Sequence, residues 1–388
     1  MTTSSLLTRA RSAAGGALAG VRGSVGTVMG RPPGRWTAAD VPDQSGRTVL
    51  VTGANAGLGL QTALSVARAG ARVLMTSRDP DRGELARARV AATATGPAPE
   101  LVLLDLTDLA SVRAAAHDVA GRTDHLDVLV ANAGVMMTPL TRTVDGFELQ
   151  LGTNHLGHFA LTGLLLPLLL ATSPAGTTGP EVGEPDVVAA SGEPDVVAAS
   201  GEPDPGLAPT PVGSVTPTGA HPRVVVVSSL AHASGRVVLS DLQFDRRPYS
   251  PFAAYAQSKL ANLLFVRELQ HRADEAGRRL LVAAAHPGLS ATGLYASSVL
   301  GRNARVGAAV TGLMGAIGQD DVEGALPQLY AATMGAVRPG EYFGPSGIRE
   351  LRGSPTQVPA SPGATDDATA AALWLASEDL TGVVVHWG

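Results

Sequence analysis

A tyrosine and a lysine are the pair in this sequence best suited to proton transfer. Tyr255 and Lys259 have the spacing Y-x-x-x-K, and residues four apart share one face of a helix. A free phenol has a pKa of about 10, which makes it a poor acid or base at neutral pH. A nearby ammonium group stabilises the phenolate and lowers that pKa, so the pair can act as a proton donor or acceptor.

Lys259 is also the only lysine in the chain, and every other strongly basic side chain is an arginine. An ammonium is compact and its pKa can be tuned, whereas a guanidinium is planar and always charged. A lysine retained in such a chain therefore indicates a role that arginine cannot fill. The alternative is that this common pattern lies on an exposed helix surface.

A glycine-rich turn with the spacing T-G-x-x-x-G-x-G begins at Thr52. It lies between an apolar β-branched run and a helical pattern. Glycine lets the backbone approach a pyrophosphate closely, and a helix N-terminus offers free N–H groups and a positive dipole end. A purely structural turn is the alternative. The residues predicted to bind a dinucleotide here are Gly53, Asn55, Gly57, Leu58 and Gly59.

The end of the second predicted strand favours NADP(H) over NAD(H). NAD sites usually place a carboxylate there, which accepts a hydrogen bond from the ribose 2′-OH. Ser77 occupies that position and Arg78 follows, with a guanidinium that can pair with a 2′-phosphate. In the alternative, Arg78 is only solvated and Asp79 binds the ribose.

The elements around these motifs predict an α/β fold. Apolar runs predict strands at 47–52, 72–76, 101–104, 126–131, 223–227 and 280–285. Helical spacing predicts helices that include 60–69, 109–120, 149–171, 252–276, 319–335 and 365–377. This alternation predicts a three-layer Rossmann fold with a doubly wound, mostly parallel sheet of about seven strands. The pattern over 336–364 is typical of a loop.

The domain organisation follows from composition. Residues 1–35 contain five arginines and no acid, and predict a mobile extension, with weak membrane-surface contact as the alternative. A single domain is expected over 36–388. The sequence GEPDVVAAS occurs twice in tandem within 172–222, which predicts a disordered insertion between a helix and a strand. Such a junction lies away from the sheet edge that binds ligands.

Other function classes are disfavoured. The chain has no cysteine, which excludes disulfides and thiolate sites and suits a reducing, cytoplasmic location. A net charge of −5 does not indicate nucleic-acid binding. His155 and His158 lack an accompanying acid cluster, so no metal site is predicted. The apolar run within 149–171 is too short to span a bilayer, which predicts a buried or subunit-facing helix.

Together these motifs resemble the short-chain dehydrogenase/reductase superfamily. The match covers about 36–388 apart from the insertion. Several segments resemble the branch of retinol dehydrogenases and WW-domain oxidoreductases in its bacterial form. Ala291 departs from the arginine that this branch often has. The segments are NHLGH at 154–158, SSLAH at 228–232, SKLAN at 258–262 and EYFGP at 341–345.

The resemblance implies roles for further residues. Ser229 would hydrogen-bond the substrate oxygen, and Asn154 would order a water that links Lys259 to solvent. A turn or N-cap serine is the alternative for Ser229, as a helix N-cap region is for Asp105. Adenine contacts are implied for Asp105 and Leu106, a close cofactor approach for Asn132, Ala133 and Gly134, and cover of the nicotinamide side for Pro287, Gly288 and Thr292.

The sequence therefore predicts an oxidoreductase that moves a hydride between NADP(H) and an alcohol or carbonyl carbon of an apolar small molecule. A non-catalytic NADP-binding sensor of the same fold is the alternative. A serine hydrolase using His232 is disfavoured because the chain lacks G-x-S-x-G. The resemblance also implies a homodimer or homotetramer that pairs the helices at 149–171 and 252–276.

Overall fold

An eight-stranded sheet forms the centre of the computed structural model, which describes residues 35–171, 221–289 and 319–387. The strand order is β3-β2-β1-β4-β5-β6-β7-β8, with β8 alone antiparallel to its neighbour. The strands β1 to β8 lie at Thr48–Val51, Arg72–Ser77, Glu100–Leu103, Val128–Ala131, Arg223–Val227, Leu281–Ala285, Tyr342–Pro345 and Pro355–Gln357. The order reverses between β1 and β4, which is the position where open α/β sheets bind ligands.

Within the described residues, seven main helices cover both faces of the sheet, and this confirms the predicted three-layer, mostly parallel α/β fold. On one face, α1, α2 and α6 pack against the sheet; on the other face α3, α4 and α5 do so, and α7 packs over α4 and α5. The helices α1 to α7 lie at Gly57–Arg68, Pro80–Ala91, Leu109–Arg122, Leu149–Ala171, Pro251–Glu275, Asp321–Thr333 and Asp367–Thr381. The central strands β1, β4 and β5 are buried along their whole length, as their unbroken apolar runs predict.

Polar side chains define where most of these helices begin. Asp79, Asp108, Ser250 and Asp366 each precede a helix and accept a hydrogen bond from a backbone N–H in its first turn. Such caps satisfy donors that have no partner inside the helix. Because α5 starts in this way at Pro251, Tyr255 and Lys259 fall in its first turns.

The prediction of a loop over residues 336–364 was wrong at two places. This segment contains β7 and β8, which extend the sheet beyond β6. β7 includes a glycine and a proline, and β8 is short and largely exposed, so neither has the β-branched apolar run that identifies a buried strand. β7 forms because β6 offers a free edge, and β8 then pairs with the edge that β7 offers.

Helix α4 contains a π turn at Gly152–Leu156. Among the described residues, α4 is the one helix long and apolar enough to cross a membrane, yet 67% of its most apolar window is buried inside the protein. Helix α7 packs over both α4 and α5: the Trp374 ring lies 5.0 Å from Phe159 and 6.0 Å from Phe265. Helix α7 therefore covers part of both helices that were expected to meet a second subunit.

Parts of the predicted organisation fall outside the described residues. They are the N-terminal extension except Arg35, most of the repeat insertion, and Thr292. The domain limits therefore stay predictions.

Candidate active site

The glycine-rich turn joins β1 to α1 and has the backbone shape of a phosphate cradle. Gly53 and Gly57 have φ values of +65° and +56°, in the left-handed region that favours glycine. A Cβ on Gly59 would lie 2.5 Å from the Gly53 carbonyl oxygen, whereas a Cβ on Gly57 would meet no protein atom within 4 Å. The turn is therefore closed toward the protein and open at Gly57, where α1 begins. A dinucleotide phosphate fits such a site.

The side chains of this turn differ in exposure. Asn55 is half-buried beside the open position. Leu58 is 7% exposed, with its side chain in the core under the sheet, so only its backbone N–H could contact a phosphate.

The end of β2 brings Ser77, Arg78 and Asp79 together as predicted from their adjacency. The Ser77 hydroxyl is buried; it donates to the Asp79 carbonyl at 2.8 Å and accepts from the Asp79 N–H at 3.2 Å. The Asp79 carboxylate accepts from the Arg82 N–H and caps α2. Arg78 is exposed. The Asp79 carboxylate, which was the alternative ribose ligand, thus serves as the cap of α2. The Arg78 guanidinium is accessible to a phosphate.

Two carboxylates follow β3, and the structure gives them different hydrogen-bond partners, which the sequence could not show. Asp108 caps α3 by accepting from the Ala110 N–H at 2.8 Å. Asp105 accepts from the backbone N–H and the hydroxyl of Thr107, at 2.9 and 2.7 Å. Leu106 is buried in the core, where a Cβ on Gly157 would lie 2.7 Å from its carbonyl oxygen. Asp105 is half-buried at the ligand-binding edge of the sheet.

Thr52 connects the glycine turn to the segment after β4. Its hydroxyl accepts from the N–H groups of Asn132 and Ala133, both at 2.9 Å, and its carbonyl accepts from Asn132 Nδ2 at 2.8 Å. Asn132 Oδ1 accepts from Gln328 Nε2 on α6 at 3.1 Å. The predicted cofactor residues after β1 and β4 therefore form one hydrogen-bonded unit. Thr52 was predicted only as the first residue of the motif, and Gln328 was not predicted.

Tyr255 and Lys259 lie together on α5, as their spacing predicts. Lys259 Nζ is 5.8 Å from the centre of the Tyr255 ring and donates to the Val227 carbonyl at the end of β5 at 3.0 Å. The lysine is 4% exposed, and this burial lowers the pKa of Lys259 to about 8. Ser228 Oγ donates to the Lys259 carbonyl at 2.8 Å, which holds α5 against the end of β5.

Ser229 begins the turn that follows β5. Its half-buried hydroxyl accepts from the Ala231 N–H at 3.2 Å, so its own proton remains available for a substrate oxygen. His232 Nδ1 contacts the Ser229 carbonyl at 2.7 Å, and His232 Nε2 accepts from the Ser361 N–H at 3.2 Å. The backbone N–H must donate, so the ring proton is on Nδ1 and points at a carbonyl. His232 is therefore not the base of a serine nucleophile, which argues against a hydrolase.

Asn154 lies in the π turn of α4 and is fully buried. It accepts from the Val135 N–H at 2.8 Å, and its Nδ2 donates to the Val135 carbonyl and to Ser258 Oγ, both at 2.9 Å. A Cβ on Gly134 would lie 2.9 Å from Asn154 Oδ1 and 3.5 Å from Lys259 Nζ. Asn154, Gly134 and Lys259 are therefore immediate neighbours, and only a glycine fits between them.

The two histidines of this helix point in different directions. His158 Nε2 contacts Thr52 Oγ1 at 2.9 Å, whereas His155 Nε2 contacts Ser377 Oγ on α7 at 2.9 Å. Burial lowers the pKa of His158 to about 4 and that of His155 to about 3, so both are neutral. Across residues 35–171, 221–289 and 319–387 there is no cluster of three or more histidine or acidic side chains that could hold a metal.

The segment after β6 contains Pro287 and Gly288. Gly288 has a φ of +66°, and a Cβ there would lie 2.5 Å from the Leu351 carbonyl oxygen. His286 Nδ1 accepts from the Gly288 N–H at 3.1 Å, and its Nε2 contacts Glu350 Oε2 at 2.9 Å. Glu350 was not predicted, because its partner is distant in sequence.

Comparison with known proteins places this geometry in context. Residues 47–178 match the short chain dehydrogenase family. Retinol dehydrogenase 13 of Mus musculus is 33% identical, over 88% of this chain and 86% of its own length. Retinol dehydrogenase 14 of Homo sapiens is 34% identical, over 87% of each chain. A crystal structure of an uncharacterized protein from Mycobacterium paratuberculosis is 39% identical and covers 91% of this chain and 100% of that one, with a TM-score of 0.64.

Proposed function

As a member of the short-chain dehydrogenase/reductase superfamily, in its retinol dehydrogenase branch, the chain is an oxidoreductase that acts on CH–OH and C=O groups with a nicotinamide cofactor, and we propose that it uses NADP(H) on an apolar alcohol or carbonyl compound. One observation carries the proposal. The only ammonium side chain of the protein is buried beside the Tyr255 ring, at the sheet edge where the glycine turn also lies.

The chain's own groups support a binding mode for the cofactor. Gly53, Gly57, Gly59 and the N-terminus of α1 would hold the pyrophosphate, and Arg78 would pair with a 2′-phosphate. The predicted contacts of Asn55, Leu58, Asp105 and Leu106, of Asn132–Gly134 and of Pro287, Gly288 and Thr292 complete it. Bound NADP(H) would supply the hydride.

Four side chains would do the remaining chemistry in the reducing direction. Ser229 would donate its free hydroxyl proton in a hydrogen bond to the carbonyl oxygen, and Tyr255 would transfer a proton to that oxygen. Lys259 would stabilise the Tyr255 phenolate electrostatically and bind the cofactor ribose. Asn154 would place the lysine and an ordered water for reprotonation of Tyr255. In the oxidising direction the same groups would act in reverse.

The substrate class and the cellular setting are further proposals. The names of the relatives point to retinol-like apolar alcohols. We propose a cytoplasmic protein, with residues 1–35 as an extension to a single domain. A homodimer or homotetramer that pairs α4 and α5 stays a proposal.

An NADPH-oxidation screen over apolar aldehydes and ketones tests this function. We expect turnover with NADPH at least tenfold above that with NADH, and a loss of at least a hundredfold in Tyr255→Phe. Tyr330→Phe is the matched control, because Tyr330 packs against Trp36 and Phe343 on the other face of the sheet and should keep wild-type activity. NADPH binding without turnover of any compound would instead support the sensor.

A further inference from the structure

The loop after β4 is held at two points by one helix. Asn154 binds both the N–H and the carbonyl of Val135. Four residues earlier on α4, Gln150 Oε1 accepts from the Met137 N–H at 2.7 Å. The segment from Gly134, beside Lys259, to Met137 is therefore fixed at both ends by the same helix.

Gln150 is itself positioned by Tyr249. Gln150 is fully buried, and its Nε2 donates to Tyr249 Oη at 3.0 Å and to the Pro251 carbonyl at 3.0 Å. Tyr249 Oη in turn lies 3.0 Å from the Thr138 carbonyl and 3.0 Å from Glu148 Oε1. Burial raises the pKa of Tyr249 to about 12, so the phenol stays a donor throughout the assay range. The Gln150 amide thus binds Met137 and the Tyr249 phenol binds Thr138, which is the next residue of the loop.

The bonds made by Gln150 and Tyr249 to this loop, here called the clamp, hold Met137 in an unfavourable backbone conformation. Met137 has a φ of +55°, in the left-handed region that non-glycine residues rarely adopt. Such residues persist only where surrounding bonds determine them, and they cluster at functional sites. Here the bonds come from α4, which carries Asn154, and from the segment that starts α5, which carries Tyr255.

We propose that Gln150 and Tyr249 are positioning residues that hold Met137 in its left-handed conformation and so set the substrate-facing loop relative to Tyr255 and Lys259. The inference rests on the proposed function for its consequence in catalysis. The loop leaves Lys259 at Gly134 and returns toward α5 at Thr138, so a shift at Met137 would alter where a substrate sits, while the glycine turn and its cofactor stay in place.

Tyr249→Phe in the full chain tests the clamp. We expect the KM for the carbonyl substrate to rise at least fivefold, with kcat within threefold and the Kd for NADPH within twofold of wild type. Hydrogen exchange should accelerate about tenfold at the Met137 N–H. The Val135 N–H, held by Asn154, is the internal control and should change less than threefold. Tyr330→Phe is the control for loss of a phenol elsewhere.

Met137→Asn is the second variant, because asparagine accepts the left-handed region more readily than methionine. Alone, it should raise the urea midpoint, and this readout is independent of Tyr249→Phe. Combined with Tyr249→Phe, it should return exchange at residue 137 to within threefold of wild type.

Three results would overturn the clamp: equal acceleration at residues 135 and 137, exchange in Tyr249→Phe that matches Tyr330→Phe, or a lower urea midpoint in Met137→Asn. Wild-type protein that reduces no carbonyl compound would overturn the proposed function instead. The exchange and urea measurements would still decide whether Gln150 and Tyr249 hold Met137.

Discussion

Replacing Lys259 by methionine should stabilise the folded protein at neutral pH while removing its activity. The ammonium is 4% exposed, and burial lowers the pKa of Lys259 from 10.5 to about 8. Methionine has a similar length, carries no charge and packs well in irregular spaces. The Val227 carbonyl, which accepts from Lys259, also accepts from Asn262 Nδ2 at 3.1 Å and so keeps a partner.

The magnitude follows from proton linkage. Between pH 8 and 10.5 the unfolded chain binds more protons than the folded protein, so the free energy of unfolding rises with pH through that window. The full cost of burying the ammonium is therefore present below pH 8. At about 1.4 kcal/mol per pKa unit it is about 3 kcal/mol. Losing the hydrogen bond to Val227 offsets about 1 kcal/mol, which leaves a net stabilisation of about 2 kcal/mol.

Urea unfolding at about pH 7 and about pH 9.5 measures this difference. The gain in Lys259→Met should fall below about 1 kcal/mol at the higher pH, because the wild-type lysine is then largely neutral in the folded state. Arg68→Met is the matched control: it removes an exposed cation from α1 and should change stability by less than about 0.5 kcal/mol at both pH values.

One outcome would refute the reasoning. If Lys259→Met were less stable than wild type by the same amount at both pH values, burying the ammonium would cost nothing. The lysine would then be a packing residue, and its place beside Tyr255 would no longer indicate a group kept for chemistry at the expense of stability.

Three further variants test other parts of the structure. Gly59→Ala should raise the Kd for NADPH at least tenfold in a fluorescence titration, because its Cβ would lie 2.5 Å from the Gly53 carbonyl oxygen; Gly121→Ala, with open space around it, should bind normally. Arg78→Ser should raise the KM for NADPH about tenfold to a hundredfold and leave that for NADH unchanged, as measured by steady-state kinetics. Trp374→Ala should lower the free energy of unfolding by about 3–5 kcal/mol in urea and promote association on gel filtration, because it uncovers α4 and α5.

The centre of the fold could be predicted because its physical signals are local. Strands such as β5, which is Arg223 followed by four valines, must be buried on both faces, and parallel strands place their carboxyl ends at one edge. Because Ser229 and Asn132 each follow such a strand, the sequence predicts them near the glycine turn. The i, i+4 spacing likewise predicts Tyr255 and Lys259 on one helical face. β7 and β8 were missed because an edge strand depends on its neighbour more than on its own residues.

The contacts that complete the site could not be predicted because they join distant parts of the chain. Tyr249 meets Thr138 and Glu148 about a hundred residues away in sequence, and nothing in the spacing of these residues indicates it. Asp105 and Asp108 are both suitable helix caps by type. Only the observed bonds show that Asp108 caps α3 and that Asp105 turns back onto Thr107.

Helix α4 could be predicted from the sequence only in part. Its residues are apolar on every side, and a helix of that composition must be covered all round. The sequence therefore predicts a cover without identifying it, and a second subunit would serve as well as another helix. The structure supplies α7, whose Trp374 ring stacks on Phe265 and meets Phe159 edge to face, and whose Ser377 hydrogen-bonds His155. An oligomer through the part of α4 and α5 that α7 occupies would first have to displace α7, at the cost that Trp374→Ala measures.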